Sequence, residues 1–170
     1  APAPQGLMCS YNAINGVPAC GHGDLLRGIV EGEWGMPGLV ISDADAIAQM
    51  GDPLPDDPPG GHNFTHSLLE SAVTGLLNGT TVSLEDDSDP ETSVYHLGLT
   101  TALTNGLVTL TDLQAAVTRA LLPRFRAGLY DPPETVAWNS IPASVIESDA
   151  SHALARRAAA DALVLLQNVG

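Results

Sequence analysis

Asp43 follows directly on the run Gly38-Leu39-Val40-Ile41-Ser42, which places a carboxylate where a buried strand would end. An apolar, β-branched run opened by Pro37-Gly38 predicts a strand covered on both faces, as in a parallel sheet. In such sheets the chemistry sits at the carboxyl ends of the strands. The alternative role for Asp43 is a cap or turn residue. Asp45 precedes Ala46-Ile47-Ala48-Gln49-Met50, which reads as the start of a helix, so Asp45 is expected to be its N-cap. Other reactive constellations are missing pieces. His62 and His66 have no Glu after the first His, which zinc hydrolysis would need, and read as a solvated pair. Gly21-His22-Gly23-Asp24 lacks the third glycine of a dinucleotide loop. There is no phosphate-loop sequence and no G-x-S-x-G elbow.

The composition narrows the partners. Six basic residues, all arginine, stand against twenty acidic ones in 170 residues, a net charge of −14. That balance argues against a nucleic-acid ligand, which needs a positive face. No run reaches the length of a membrane span, and APAPQG lacks the basic and apolar regions of a signal peptide, so any export signal is expected upstream. The acidic run Glu85 to Glu91 lacks the alternating Asp and central Gly of a calcium loop and reads as a solvated loop. Cys9 and Cys20 are either two buried thiols or a bridge closing a short loop, the latter in an oxidising compartment. Asn63-Phe64-Thr65 and Asn78-Gly79-Thr80 fit the glycosylation acceptor triplet. These signals lean toward a secreted protein.

The elements that would position Asp43 alternate. Leu7 to Tyr11 reads as a strand, with a turn at Asn15-Gly16-Val17-Pro18 and a helix capped by Asp24 that buries Leu25, Leu26, Ile29 and Val30. The strand Gly38 to Ser42 follows, then a Pro/Gly/Asp loop from Gly51 to Gly61. A helix over His66 to Asn78 is closed by Gly79, and Thr80 to Leu84 is a third strand. Further helices are expected from Ser93 to Thr104 and from a Thr111 cap to Leu129, the latter bent or interrupted at Pro123. The stretch after Asp131 has no periodicity and reads as a linker. Ser148 or Asp149 then caps an Ala-rich helix, and Ala162 to Leu166 is an apolar strand. Strands alternating with helices predict an α/β fold with a parallel βα array. A closed eight-unit barrel takes ~250 residues, so this chain supplies less than half of one.

With these pieces placed, the sequence resembles glycoside hydrolase family 3, in the branch of β-xylosidases and bifunctional α-arabinofuranosidases. LMCSYNAINGVPAC resembles that family's substrate-pocket strand and loop, EWGMPGLVISDADA its nucleophile strand, and HALARRAAADALVLLQN the start of its second domain. The two cysteines fit the same branch. The resemblance implies a partial (β/α)8 barrel over residues 1–130, a linker over 131–147, and the first helix and strand of an αβα sandwich over 148–170. It implies that Asp43 is the nucleophile of a retaining glycosidase, that Tyr11 hydrogen-bonds it and that Met8 lines the sugar pocket. For Tyr11 and Met8 the alternative is ordinary strand packing. The implied substrate is a plant-wall oligosaccharide ending in β-linked xylose or a related sugar. No metal or organic cofactor is expected, no nucleic acid or membrane is a partner, and the acid/base carboxylate lies outside this chain. The implied location is extracellular.

The chain also departs from the family pattern. Thr81 stands where the family usually carries Asp, Gln167 where Lys is common, and Gly51 to Gly61 and the acidic run look like insertions. A carbohydrate-binding or degenerate relative without catalysis is therefore the second reading.

Overall fold

The computed structural model of the protein describes residues 4–51, 61–85 and 93–169. Two compact units divide the chain, Ala1–Leu129 and Tyr130–Gly170. In the first, strand β1 (Gly6–Cys9) lies parallel to β4 (Leu39–Ser42), in register from Gly6 opposite Leu39 to Cys9 opposite Ser42. Parallel neighbours need a long crossover. Here it contains a hairpin, β2 (Ala13–Ile14) with β3 (Val17–Pro18), and a helix over Asp24–Glu33. Asn15 and Gly16 form the hairpin's turn with φ of 53° and 85°, the left-handed pair that matches strand twist in a two-residue loop. Val17 and Pro18, expected in the turn, pair back as strand instead.

The helix expected from Asp24 begins there, but the Asp24 side chain does not cap it. Gly23 is the cap residue, and the backbone N–H of Leu25 donates to Nδ1 of His22 at 3.4 Å. The helix is π-wound: the N–H of Trp34 reaches the carbonyl of Ile29 at 2.8 Å. Its buried residues, Leu26 and Val30, fall on the face that the sequence period selects.

The third strand, expected over Thr80 to Leu84, shrinks to one parallel bridge between Ile41 and Val82. Ladder-type bonds continue on either side, from Thr81 N–H to Val40 O (2.8 Å), Ser42 N–H to Val82 O (2.9 Å) and Asp45 N–H to Leu84 O (2.9 Å). β4 is thus the middle of three parallel passes, and Val40 and Ser42 are completely buried. Leu26, Val30, Met36, Ile47, Met50 and Ala72 pack in the same core as Val40. β1 is covered less well, and Gly6 and Met8 face outward. Expected loop residues 52–60 and acidic residues 86–91 lie outside the described residues.

Three helices complete the unit. α1 (Leu68–Leu77) is capped by Ser67, whose Oγ accepts from Glu70 N–H at 3.1 Å, while Glu70 Oε2 accepts from His66 N–H at 2.8 Å. α2 (Val94–Thr104) crosses α1 closely at Gly98, where a Cβ would come within 2.6 Å of the Ala72 Cβ. The hydroxyl of Tyr95 donates to Thr80 O at 2.6 Å and ties α2 to the chain after α1. α3 (Leu110–Arg126) is capped two residues before the expected Thr111 and runs through Pro123 without a break. Its cap is Thr109, which forms a reciprocal box with Asp112: Thr109 Oγ1 accepts from Asp112 N–H (3.2 Å), and Asp112 Oδ2 accepts from Thr109 N–H (2.8 Å). Arg119 carries α3 into the core by donating to Gly38 O (3.2 Å) and to Glu31 (3.0 Å).

In the second unit, single helical turns occupy Pro133–Thr135, Ala137–Ser140 and Ala143–Val145. α4 (Asp149–Ala162) follows, with Ser148 Oγ accepting from Ser151 N–H at 3.3 Å. The expected strand over Ala162 to Leu166 does not form: Ala162 ends α4, and residues 163–169 belong to no helix or strand. The reason is pairing. An apolar segment becomes a strand only when a neighbouring strand takes up its backbone groups, and the described residues of this unit contain none.

Candidate active site

Asp43 is the first residue beyond the last paired position of β4. Its N–H donates to Cys9 O at 3.0 Å, so the end of β1 fixes its backbone. Its Oδ1 accepts from the N–H of Ala44 at 2.9 Å, which leaves Oδ2 as the oxygen not engaged in that bond. The side chain is half-buried. A carboxylate held this way sits at the carboxyl end of parallel strands with its orientation set by the main chain.

Asp45 does not cap a helix. It takes a left-handed conformation, φ 56°, donates its N–H to Leu84 O, and accepts from Gln49 N–H at 2.9 Å through its carbonyl. The turn of 3-10 helix that follows covers only Ala48–Met50 and is preceded by Ile47. The Asp45 carboxyl is close enough to that of Glu85 to help raise its pKa.

Glu85, the one described residue of the acidic run, is tied into the fold by its side chain. Its Oε1 accepts from the hydroxyls of Ser83 and Ser93 (3.3 Å for Ser93) and from Val94 N–H at 3.2 Å, the first turn of α2. Burial, then the neighbouring Asp45 carboxyl, hold the Glu85 carboxyl above its ordinary value of 4.5, against the opposing pull of Ser83 and Val94. The sign follows. A carboxyl raised on folding contributes stability that is complete below its unfolded value and lost as pH rises through the folded one. The unfolding midpoint of Glu85→Gln, taken relative to the parent's, should therefore rise as pH is raised from about 4.5 toward neutral. An unchanged pH slope in the variant would contradict this role. Asp112 acts in the opposite sense, because its bonds to Thr109 keep its carboxyl below the usual range and are lost in acid.

Met8 and Tyr11 lie at the same end of β1. Met8 is 52% exposed and pairs in register with Ile41, two positions before Asp43. Tyr11 is 41% exposed, two residues beyond Cys9. Cys9 and Cys20 are joined by a disulfide and are both buried. Thr80, completely buried, donates its hydroxyl to Cys20 O at 2.7 Å, so three chain segments meet at the bridge. Thr81 turns its hydroxyl onto β4, accepting from Val40 N–H (3.1 Å) and donating to Val40 O (3.0 Å). Of the two acceptor asparagines, Asn63 is exposed, whereas Asn78 is half-buried against Gly23 at the end of α1. Sequence reasoning set His62 aside, yet its Nε2 lies 2.6 Å from Tyr11 O. An isolated histidine carries no spacing signal, because its partner is a backbone atom 51 residues away.

Among the described residues no three His, Cys, Asp or Glu side chains converge on a metal position, and no helix is long and apolar enough to cross a membrane.

No family model matches the chain. Individual relatives do. It is 38% identical over 165 residues to a Neosartorya fischeri protein named "Probable exo-1,4-beta-xylosidase", covering 95% of this chain and 20% of that one. It is 30% identical over 163 residues to "Beta-xylosidase/alpha-L-arabinofuranosidase 1" of Medicago sativa, covering 95% and 19%. Among solved structures, a family 3 exo-β-xylosidase in complex with a xylobiose aziridine probe matches with TM-score 0.76 at 25% identity, over 97% of this chain and 20% of that one. A β-glucosidase of Erythrobacter marinus matches with TM-score 0.72 at 31% identity, over 96% and 20%. The chain thus spans about one fifth of the length of the relatives it matches, with their α/β fold, and it belongs to glycoside hydrolase family 3, on the β-xylosidase branch.

Proposed function

We propose that this chain furnishes the later βα units of a (β/α)8 barrel and the nucleophile of a retaining glycosidase that releases terminal β-linked xylose, or a related sugar, from plant-wall oligosaccharides. The observation that carries the reading is the anchoring of Asp43. It stands at the end of a central parallel strand, and bonds to Cys9 O and from Ala44 N–H set its backbone and one carboxylate oxygen. In this mechanism the carboxylate attacks the anomeric carbon while a second carboxyl group, on a segment outside this chain, protonates the departing oxygen. The glycosyl ester is then hydrolysed by water that gives its proton to that same group. Tyr11 donates a hydrogen bond to the nucleophile, and Met8 supplies an apolar wall to the sugar.

Residues 148–170 open an αβα sandwich in this reading, with a helix followed by an apolar segment that awaits strand partners. The protein acts outside the cell, which the buried disulfide and the exposed acceptor Asn63 support. A second reading, sugar binding without turnover, is favoured by Thr81, which satisfies β4 and offers no carboxylate.

The test is a chimera in which residues 4–169 replace the matching fifth of the Neosartorya fischeri relative. A xylobiose aziridine should form an ester on Asp43 of the chimera, located by peptide mass, and the chain by itself should show negligible turnover of an aryl xyloside. Labelling of a different carboxylate, or sugar binding with no covalent adduct, would favour the second reading. Turnover by the isolated chain that disappears in Asp43→Asn would overturn the need for a completed barrel.

A further inference from the structure

We propose that His62 is a positioning residue of the sugar site: from the loop that follows β4, its ring holds the main chain of the loop that follows β1. The inference rests on the reading of Asp43 as nucleophile and adds to it a residue that neither family motif nor spacing selects.

The contact is the 2.6 Å approach of His62 Nε2 to the carbonyl of Tyr11. A carbonyl only accepts, so the ring donates. Nε2 therefore carries the proton of this bond.

His62 is itself held in place. Its N–H donates to Gln49 O at 2.9 Å, and the next residues dock on the buried Met50, with Phe64 N–H and Thr65 N–H reaching its carbonyl at 2.8 and 3.0 Å. Thr65 and Ser71 share a buried hydroxyl bond at 2.5 Å. The ring thus projects from a shelf fixed to the core.

The bonds close a circuit around the nucleophile. Asp43 N–H binds Cys9 O, and Tyr11 lies two residues beyond Cys9. Tyr11 O binds His62, His62 N–H binds Gln49 O, and Gln49 N–H binds Asp45 O, two residues beyond Asp43. Every link but the imidazole is main chain, so His62 is the one member that a substitution removes without rebuilding the backbone. Opening the circuit there leaves the Asp43 bonds in place and frees the Tyr11 loop. The consequence falls on sugar binding more than on the chemical step.

The experiment compares His62→Ala and His62→Gln with the parent. Gln can place an amide N–H where Nε2–H lies. In the chimera, His62→Ala should raise KM for an aryl xyloside about 3- to 10-fold, the size of one lost hydrogen bond, with kcat within about 2-fold of the parent, and His62→Gln should recover most of the loss. In the 170-residue chain, amide exchange at 11–14 should accelerate in His62→Ala while the β1 and β4 amides keep their protection. An unchanged KM, or exchange at 11–14 equal to the parent's, overturns the proposal, and the exchange arm decides even if the chimera is inactive. So does a His62→Gln variant as impaired as His62→Ala. Failure of the underlying reading looks different: Asp43→Asn would retain turnover, whatever His62 does.

Discussion

Asp43→Asn in the chimera is expected to lower kcat by at least about 10³-fold, ~4 kcal/mol of transition-state stabilisation, while leaving the fold intact. The asparagine keeps the size of the side chain, and its amide oxygen can still accept from Ala44 N–H as Oδ1 does. What it loses is the negative charge and the ability to form an ester with the anomeric carbon. A role confined to structure predicts the reverse pattern, with retained turnover and a shifted unfolding midpoint. A second variant separates the roles further. Asp43→Ala opens space at the site, and added azide should restore turnover by attacking the anomeric carbon in place of the carboxylate. The aryl leaving group departs with the acid's proton, and the product is a glycosyl azide of inverted anomeric configuration. Hydrolysis by Asp43→Asn at the parent rate, or azide without effect on Asp43→Ala, would remove Asp43 from the chemistry.

The features that lead to Asp43 were legible because they are local. An apolar run with β-branched residues, closed by an acid, states a strand and its end, and β4 with Asp43 immediately after it is what forms. The helix over Leu68–Leu77 and its Gly79 terminus follow from the same kind of short-range signal, and Gly79 takes φ 115°. Caps were legible only to within two residues. Thr109 and Thr111 are both good caps by type, and the choice fell to Thr109 because Asp112, three residues on, completes the box.

Features that depend on distant partners were not legible. Glu85 belongs to an acidic run by composition, yet the hydroxyls of Ser83 and Ser93 draw it into the fold beside Asp45. Asp45 looked like a cap because its neighbours resemble a helix, but the ladder bond to Leu84 places it in a left-handed turn. Arg119 carries no local signal of burial. It is buried and joins α3 to Gly38 and Glu31, contacts made across 81 and 88 residues. The segment 163–169 shows the same limit from the other side: strong strand propensity without a partner gives no strand.

The disulfide gives the second large expected effect. Cys9 and Cys20 are 11 residues apart, and in the chain-entropy model a loop of that size lowers the entropy of the unfolded chain enough to contribute about 3 kcal/mol. That is a large share of the ~5–15 kcal/mol that holds a typical domain folded. Cys9→Ala/Cys20→Ala is the appropriate variant, since serine would place hydroxyls at two nearly solvent-free positions. Urea unfolding of the double variant should give a free energy lower by about 3 kcal/mol than the parent, and a loss below about 1 kcal/mol would show that the bridge adds little. The location of the bridge extends its effect to the site. Cys9 O holds the Asp43 N–H, and Cys20 O receives the Thr80 hydroxyl from the segment that pairs with β4. Cutting the bridge therefore loosens the strand end that anchors the nucleophile as well as the loop that carries Tyr11. In the chimera the double variant should both lower kcat and raise KM, unlike His62→Ala, whose effect is confined to KM. That contrast separates a tether acting on the Asp43 backbone from one acting on the Tyr11 loop alone.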